Sequence, residues 1–269
     1  MIPLTEGLIE FFETITGAPH DENLVATLAG VLERNLGIAE IDEILGHGSF
    51  GVAMDLGGER VLKITSDPEE VQASYTVMMD RREDFDHVAE IYGAYRTSVR
   101  VWDAFYGKQY RPVGFVVLEK LDPIGLDNDR ANAQLESVVT HIKEEFRVHP
   151  GDLSSISTGE ARLRLKEAAP ELVERLRFDL ADPEPSVLEI ARGIEELIGL
   201  GVYMIDAHPK NVGFSPHDGV HKVFDLGVSS APKGRRAPVL RNPSPPMLDG
   251  VLRWPMGAIT LGMPAPLIR

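Results

Sequence analysis

The chain has 269 residues, of which 43% are hydrophobic, so it can form one large domain or two small lobes and is too apolar for global disorder. Its 27 basic and 42 acidic residues give a net charge of −15, which argues against binding to nucleic acid or an anionic membrane, although it does not exclude a local basic pocket. The absence of cysteine excludes disulfides and thiolate metal sites and fits a reducing cytosol. Without a basic, apolar leader or a run of about 20 apolar residues, we expect a cytoplasmic protein with no membrane span.

Two helices are predicted at the N-terminus, over residues 4–16 and 21–36. Apolar residues recur at helical spacing in both stretches, and the sequence Gly-Ala-Pro-His-Asp interrupts the pattern between them. We interpret residues 1–38 as a helical hairpin that packs on the following domain.

A glycine-rich turn follows, within residues 40–65. Strand candidates lie before it, at Ile41–Leu45, and after it, at Val52–Leu56 and Arg60–Thr65, with Gly57-Gly58 as a second turn. A dinucleotide-binding glycine motif requires a helix directly after the glycines. Alternating apolar residues follow here instead, which favours a strand–turn–strand arrangement.

Lys63 lies on the last of these strands, between apolar neighbours. An unpaired ammonium on a buried strand is costly, so this position indicates a partner or a function. The alternative is a lysine whose charged end reaches solvent from an edge strand.

A helix is predicted next, over residues 67–82. Asp67 is a suitable N-cap, Pro68 suits the first turn, and Glu69 and Glu70 favour the N-terminal end of the helix dipole. Three strands are then predicted, each rich in apolar or β-branched residues. They are Val88–Tyr92, Ser98–Trp102 and Val113–Glu119.

Residues 125–183 are mostly polar and helix-forming, and they are either helical packing of a second lobe or a substrate-specific insertion. A helix over Ser186–Gly201 is predicted with Ser186 as its N-cap and Glu189 completing a capping box. A short hairpin follows at 212–224.

Three polar side chains stand beside this hairpin. Asp206 and Asn211 are five residues apart on a predicted loop, and Asp225 follows an apolar pair and precedes Leu226-Gly227. Carboxylate and amide oxygens in such a group suit Mg²⁺, which keeps waters and substrate phosphates as its other ligands. The alternative is two surface turns that carry acids, since these residues also form turns.

The order of these motifs resembles that of the protein-kinase-like superfamily, including atypical Ser/Thr protein kinases and aminoglycoside-phosphotransferase-like kinases. The glycine turn, the strand lysine, the acidic helix, Asp-x₄-Asn and Asp-Leu-Gly follow one another over about 40–227. The resemblance implies an α+β, two-lobed kinase-like fold, with a small antiparallel β lobe at 39–121 and a mostly helical lobe at 122–269. Residues 1–38 are then an extra N-terminal helical hairpin.

The resemblance also implies ATP and Mg²⁺ as cofactors. Lys63 would hold the α- and β-phosphates, and Glu70, or alternatively Glu69, would pair with Lys63. Asn211 and Asp225 would bind Mg²⁺. The nucleotide would be bordered by the glycine loop, by a residue under the adenine and by the hinge that follows Val113–Leu118. The implied residues are Gly46, Gly48, Ser49, Phe50, Gly51, Ala53, Lys63, Glu70, Glu119 and Leu121.

The same resemblance assigns the catalytic loop. Asp206 would orient the acceptor hydroxyl and take its proton, and His208 or Lys210 would contact the γ-phosphate. Met204-Ile205 replaces the His-Arg pair that usually precedes this aspartate in protein kinases, which argues against activation by a phosphorylated loop.

Two classes of phosphoryl acceptor are compatible with the sequence. Phe50 at the tip of the glycine loop favours a protein Ser/Thr, with residues 154–158 as candidate sites of autophosphorylation. His208 and the short stretch after Gly227 favour a small molecule, as in aminoglycoside and choline kinases. An inert kinase-fold binding module and a nucleotidyl transferase are further alternatives, and the sequence does not predict an oligomeric state.

Overall fold

The computed structural model describes residues 1–16, 22–80, 85–103, 107–123, 129–145, 173–174, 182–202, 209–226 and 236–240. These residues form antiparallel sheets and helices in separate stretches of the chain, so the predicted α+β class is confirmed. Within these ranges, no helix combines the length and the apolar character needed to cross a bilayer.

Helices occur at both predicted N-terminal positions. Helix α1 spans Leu4–Phe11 and continues as a π-helical turn over Phe12–Thr16, and α2 spans Glu22–Leu36. A two-residue strand before α1, β1 at Ile2–Pro3, pairs with β2 at Glu40–Ile41 and so brings the two ends of this unit together.

The centre of the fold is a five-stranded antiparallel sheet with the strand order β3-β4-β5-β7-β6. Sequential hairpins connect most neighbours, and α3 at Pro68–Met79 connects β5 to β6. The strands are β3 at Glu43–His47, β4 at Gly51–Asp55, β5 at Arg60–Thr65, β6 at Ile91–Asp103 and β7 at Gly107–Glu119.

The prediction of separate strands at Val88–Tyr92 and Ser98–Trp102 is wrong. Strand β6 is continuous. Its pairing with β7 shifts register between Ile91 and Gly93 and then continues to the end of β6 at Asp103. Val88 lies outside this strand and forms an isolated parallel bridge with Val223.

Alternation along the strands gives the sheet two buried faces. On β5, Leu62 and Ile64 are fully buried in the core formed with α1 and α2, whereas Val61 belongs to the core on the opposite face. That opposite core contains residues of α3, of α4 at Asp129–Glu145 and of α5 at Pro185–Gly199.

The remaining strands form a small sheet with the order β10-β9-β8. They are β8 at Asp122–Pro123, β9 at Val212–Ser215 and β10 at Val220–Val223. The predicted hairpin near residues 212–224 is therefore present, as β9 and β10.

The predicted start of α5 is wrong by one residue. The helix begins at Pro185, because proline suits the first helical position. The preceding Glu184 provides no side-chain cap. Ser186 is therefore inside the helix, and Glu189 forms no capping box. The Glu189 Oε2 atom instead accepts hydrogen bonds from the His221 backbone N–H at 2.8 Å and contacts His221 Nδ1 at 2.7 Å.

His87 connects α5 to β10. Its backbone N–H donates to Glu196 Oε2 at 3.2 Å, and its carbonyl accepts from the Val223 N–H at 2.9 Å. Helix α5 approaches this segment closely at Gly193, where a Cβ atom would lie 2.3 Å from the His87 carbonyl oxygen. A hydrogen-bonded backbone atom cannot move away cheaply, so position 193 requires glycine.

The first prediction concerns this close approach. Replacing Gly193 with Ala would force α5 away from His87, and overpacking of this kind costs about 2 kcal/mol of unfolding free energy. Gly199 is the matched control on the same helix, since nothing lies within 4 Å of its Cβ position. Gly199→Ala should be neutral or stabilising by up to about 1 kcal/mol. Urea unfolding measures both variants, and equal effects would contradict the packing explanation.

The second prediction concerns Glu196, whose pKa is raised to about 7. Burial is the largest cause, and Asp86 and Glu195 add to it, while the hydrogen bond from His87 and the charge of Lys222 oppose it. Because the folded state holds the proton more tightly than the unfolded state does, wild-type stability should fall as the pH rises through this range. Relative to Glu196→Gln, the wild type should lose about 2 kcal/mol between about pH 5 and about pH 8.

Glu189→Gln provides the control for that experiment. Burial tends to raise the pKa of Glu189, but its hydrogen bonds and charge contact with His221 outweigh burial and lower it. The Glu189 carboxylate is therefore ionised across the tested range, and any pH dependence of the Glu189→Gln effect reports protonation of His221 instead, because the ion pair exists only when that histidine is charged. A pH-independent effect of Glu196→Gln, measured by urea unfolding, would show that Glu196 is already ionised at the lower pH.

Candidate functional site

Lys63 lies on the sheet face that carries α3. In the strand register, Lys63 is opposite Ala53 of β4 on one side and Val116 of β7 on the other. Val116 is buried, and Ala53 is partly buried in the same apolar core. With only apolar side chains beside it in the sheet, the Lys63 ammonium must find its partners outside the sheet.

The first partner is Glu70, on the first turn of α3. Asp67 caps this helix by accepting a hydrogen bond from the Glu69 backbone N–H at 2.9 Å, as its sequence predicts. The cap directs Glu70 inward, where its Oε1 atom lies 2.6 Å from Lys63 Nζ and its side chain is 3% exposed. Glu69 is exposed, so Glu70 is the glutamate that pairs with Lys63.

The second partner is Asp225, which follows β10. Its Oδ1 atom lies 2.8 Å from Lys63 Nζ, and its side chain is 24% exposed. One hydrogen bond places it beside another predicted site residue, since the Phe224 N–H donates to the Asn211 carbonyl at 3.1 Å. Asn211 is buried, so the open end of the β9–β10 hairpin brings Asn211 and Asp225 together.

The electrostatics of this group are set by one cation between two carboxylates. Burial opposes the charge on Lys63, but Glu70 and Asp225 outweigh burial and raise the pKa of Lys63. Burial raises the pKa of the Glu70 carboxyl, and Asp225 adds to this effect while Lys63 opposes it. Glu70 Oε2 is buried and has no hydrogen-bond donor in the described part of the chain. The fully ionised group has an excess of one negative charge, which a bound cation would neutralise.

The glycine turn joins β3 to β4 at the edge of the sheet. The Gly48 N–H donates to the Gly51 carbonyl at 2.9 Å, and the Ser66 N–H donates to the Phe50 carbonyl at 2.7 Å. Gly51 packs against β5, since a Cβ atom there would lie 2.4 Å from the Ile64 carbonyl oxygen.

Gly46 and Gly48 differ from Gly51, because no atom lies within 4 Å of a Cβ placed on either. Intramolecular packing therefore explains glycine at 51 but not at the other two positions, which leave space beside the backbone. The side chains of Leu45 and Phe50 are exposed by 43% and 49%. Leu45 is not among the site residues predicted from the sequence, and the exposure of its side chain is visible only in the structure.

The predicted hinge begins at Glu119, whose side chain has a structural role. Its carboxylate oxygens contact Lys222 Nζ at 3.0 and 3.3 Å, and its Oε1 accepts a hydrogen bond from Ser215 Oγ at 2.6 Å. All three residues are buried, and Lys222 also contacts Asp218. Leu121 lies beside β9, because a Cβ at Gly213 would lie 2.7 Å from Leu121 Cβ.

The sequence interpretation did not identify the Glu119–Lys222 contact. Lys222 precedes the apolar pair Val223-Phe224 on a predicted strand, which is the same signal that marked Lys63. Its partner is 103 residues away in the chain, so the signal could indicate a buried lysine but not its carboxylate.

The catalytic loop is described only in part. Asp206 and His208 lie outside the described residues, whereas Lys210 is exposed next to the buried Asn211. The structure therefore brings together Lys63, Glu70 and Asp225 and places Asn211 beside them.

The donor set is compatible with Mg²⁺ only if the substrate contributes ligands. Among the residues described, no three His, Cys, Asp or Glu side chains are grouped to hold a metal. Asp225 and Asn211 offer one carboxylate and one amide, and Mg²⁺ is commonly held by one or two carboxylates together with phosphates and waters. These residues would hold Mg²⁺ in that way.

The chain matches known proteins in a comparison of structures but not in comparisons of sequence. No family model matches the sequence, and no curated protein matches it. Among solved structures, the chain is similar to Rad53 1-466 in complex with AMP-PNP, at a TM-score of 0.32 and 14% identity, over 70% of this chain and 38% of that chain.

Two aminoglycoside phosphotransferases are also similar. A GDP complex of a mutant aminoglycoside 2'-phosphotransferase-IIIa has a TM-score of 0.33 and 14% identity, over 76% of this chain and 72% of that chain. A mutant of APH(4)-Ia in ternary complex with AMP-PNP and hygromycin B has a TM-score of 0.33 and 14% identity, over 76% of this chain and 71% of that chain. At TM-scores below 0.5 and 14% identity, these likenesses carry no conclusion about the fold, activity or substrate of this chain.

Proposed function

We propose that the chain is an ATP- and Mg²⁺-dependent phosphotransferase that transfers the γ-phosphate to a hydroxyl group. One observation carries the proposal: the Lys63 ammonium lies between Glu70, on a helix, and Asp225, beside Asn211. A lysine held by a helical glutamate, next to a carboxylate suited to a metal, is the arrangement that kinases use to bind nucleotide phosphates. The two lobes at 39–121 and 122–269 would enclose this site.

Nucleotide binding would exchange partners within the charged group. The α- and β-phosphates would replace Asp225 at Lys63, while Glu70 would keep the ammonium in position. Asp225 would then be available to the metal together with Asn211. The space beside Gly46 and Gly48 would let backbone N–H groups approach the phosphates. Ser49, Phe50 and Gly51 would complete that loop, and Ala53, Glu119 and Leu121 would border the adenine.

Catalysis would depend on positioning and electrostatics. Asp206 would orient the acceptor hydroxyl and take its proton as the acceptor oxygen bonds to the γ-phosphorus. The bond from that phosphorus to the β–γ bridging oxygen would break, and ADP would leave. His208 or Lys210 would contact the γ-phosphate. Bound Mg²⁺ would neutralise charge on the phosphate oxygens.

We favour a protein Ser or Thr as the acceptor, including a hydroxyl of the chain itself. The exposed Phe50 on the glycine loop supports this choice, because it can cover an extended peptide beside the nucleotide. A small-molecule hydroxyl is the second candidate. The pattern of Asp206 followed two residues later by His208 supports it, as in aminoglycoside and choline kinases.

The third prediction tests the reaction and its residues. After incubation with Mg²⁺ and ATP, wild-type protein should gain the mass of one or more phosphate groups, whereas Asp206→Ala and Asp225→Asn should not. Loss of a residue that positions or stabilises the transferred group lowers kcat by about 10²-fold or more. Intact-mass spectrometry measures the gain, and Asp182→Asn is a matched control because its side chain is 90% exposed.

The remaining outcomes separate the alternatives. A gain of nucleotide mass would indicate nucleotidyl transfer and contradict the proposal. If no mass is gained, ATP consumption with an amino-sugar panel would identify a small-molecule kinase. An ATP-dependent rise in melting temperature without any turnover would identify an inert nucleotide-binding module.

A further inference from the structure

Residues 236–240 lie along the outer edge of the five-stranded sheet, beside β6. The Arg96 N–H donates to the Pro238 carbonyl at 3.0 Å, and the Leu240 N–H donates to the Arg96 carbonyl at 3.1 Å. Val239 forms a parallel bridge with Arg96. The segment, which we name the strap, therefore adds to the sheet as a short parallel strand, in the way that bound peptides add to exposed edges.

Burial fixes the strap in addition to these hydrogen bonds. Ala237 is 2% exposed and belongs to the core on the α3 face, whereas Leu240 is 4% exposed and belongs to the core on the α1 and α2 face. The two ends of the strap thus enter different cores across the edge of the sheet. A segment anchored on both sides cannot shift without exposing apolar surface.

The strap also contacts α3 directly. The Ala237 N–H donates to Gln72 Oε1 at 3.2 Å, and the Ala237 carbonyl accepts from Arg96 Nε at 2.9 Å. Gln72 is half-buried and lies two residues after Glu70 on the same helix. One residue of the strap, Ala237, is therefore held between the helix that carries the glutamate and the edge strand of the sheet.

Helix α3 contacts both the sheet and the strap. Its inward face mixes the polar Glu70 and Ser74 with Val71, Ala73 and Val77. It approaches the sheet closely at Val71, whose Cγ2 atom would lie 2.0 Å from a Cβ at Gly114. The sheet supports the helix at Val71, and the strap supports it at the adjacent Gln72.

We infer that Gln72 is a positioning residue, which holds α3 against the strap so that Glu70 stays in contact with Lys63. In this role Gln72 acts through Glu70 rather than on the phosphates directly. The catalytic part of this inference rests on the proposed function, but the structural part does not. The strap follows Asp225 by about a dozen residues, so the segment that supplies the metal carboxylate also restrains the glutamate helix.

The fourth prediction compares three variants. Gln72→Ala removes the acceptor for the Ala237 N–H, and Gln72→Glu keeps an acceptor oxygen at the same place. Gln134→Ala is the matched control, because Gln134 Oε1 also accepts a backbone N–H, that of Glu184 at 2.8 Å, on a different helix. Loss of one such hydrogen bond shifts a local equilibrium by about fivefold.

Two measurements separate positioning from general stability. Hydrogen exchange of the α3 amides should quicken by about fivefold in Gln72→Ala and remain near wild type in Gln72→Glu and Gln134→Ala. In Gln72→Ala the kcat for phosphoryl transfer should fall by about the same factor, because a smaller fraction of the enzyme has Glu70 in contact with Lys63. The KM for ATP should change by less than about twofold, because the substitution does not alter the binding of ATP itself.

The inference is overturned if Gln72→Ala quickens exchange only in the strap, or if Gln134→Ala quickens exchange in α3 equally. It is also overturned if α3 loosens while the kcat of an active enzyme stays the same. A wild type without phosphoryl transfer would contradict the proposed function instead, and exchange in α3 alone would then decide whether Gln72 positions the helix.

Discussion

The partly buried ammonium of Lys63 is the constraint on which the rest of the site depends. It lies on a strand between Ala53 and Val116, so only groups from outside the sheet can compensate its charge. Those groups come from α3 and from the end of β10, two elements far apart in the sequence. Leaving a buried charge without its partner costs about 3–5 kcal/mol. The helix and the end of the hairpin therefore lie on the same face of the sheet, the face that also carries the core shared by α3, α4 and α5.

Local sequence patterns correctly predicted the geometry of β5 and of the first turn of α3. Strict alternation on β5 predicts that Lys63 faces away from Leu62 and Ile64, and the structure has that arrangement. The pair Asp67-Pro68 sets the first turn of α3. Once that turn is set, successive side chains point about 100° apart, so only one of Glu69 and Glu70 can face the sheet.

Long-range contacts were the part that the sequence could not predict. Glu189 resembles a capping residue, yet it binds His221, because Pro185 moves the helix start and β10 lies alongside α5. The resemblance implies that Glu119 belongs to the hinge beside the adenine, and no local pattern indicates that its side chain binds the buried Lys222. For each of these two glutamates the sequence contains several basic residues that could be its partner. Only the packing of distant elements determines which of them it contacts. Asp206 and His208 remain predictions from the motif alone.

The excess of acid over base limits how ATP could be attracted to this chain. A net charge of −15 repels polyphosphate at long range, but charges more than about 8 Å away are largely screened at physiological ionic strength. Binding would therefore depend on charges within the site, where one lysine already contacts two carboxylates. Those carboxylates would also repel a bare triphosphate, so recognition would require a cation that compensates Asp225 and leaves Lys63 to the phosphates. The charge arrangement thus favours ATP that enters with its metal over ATP that enters alone.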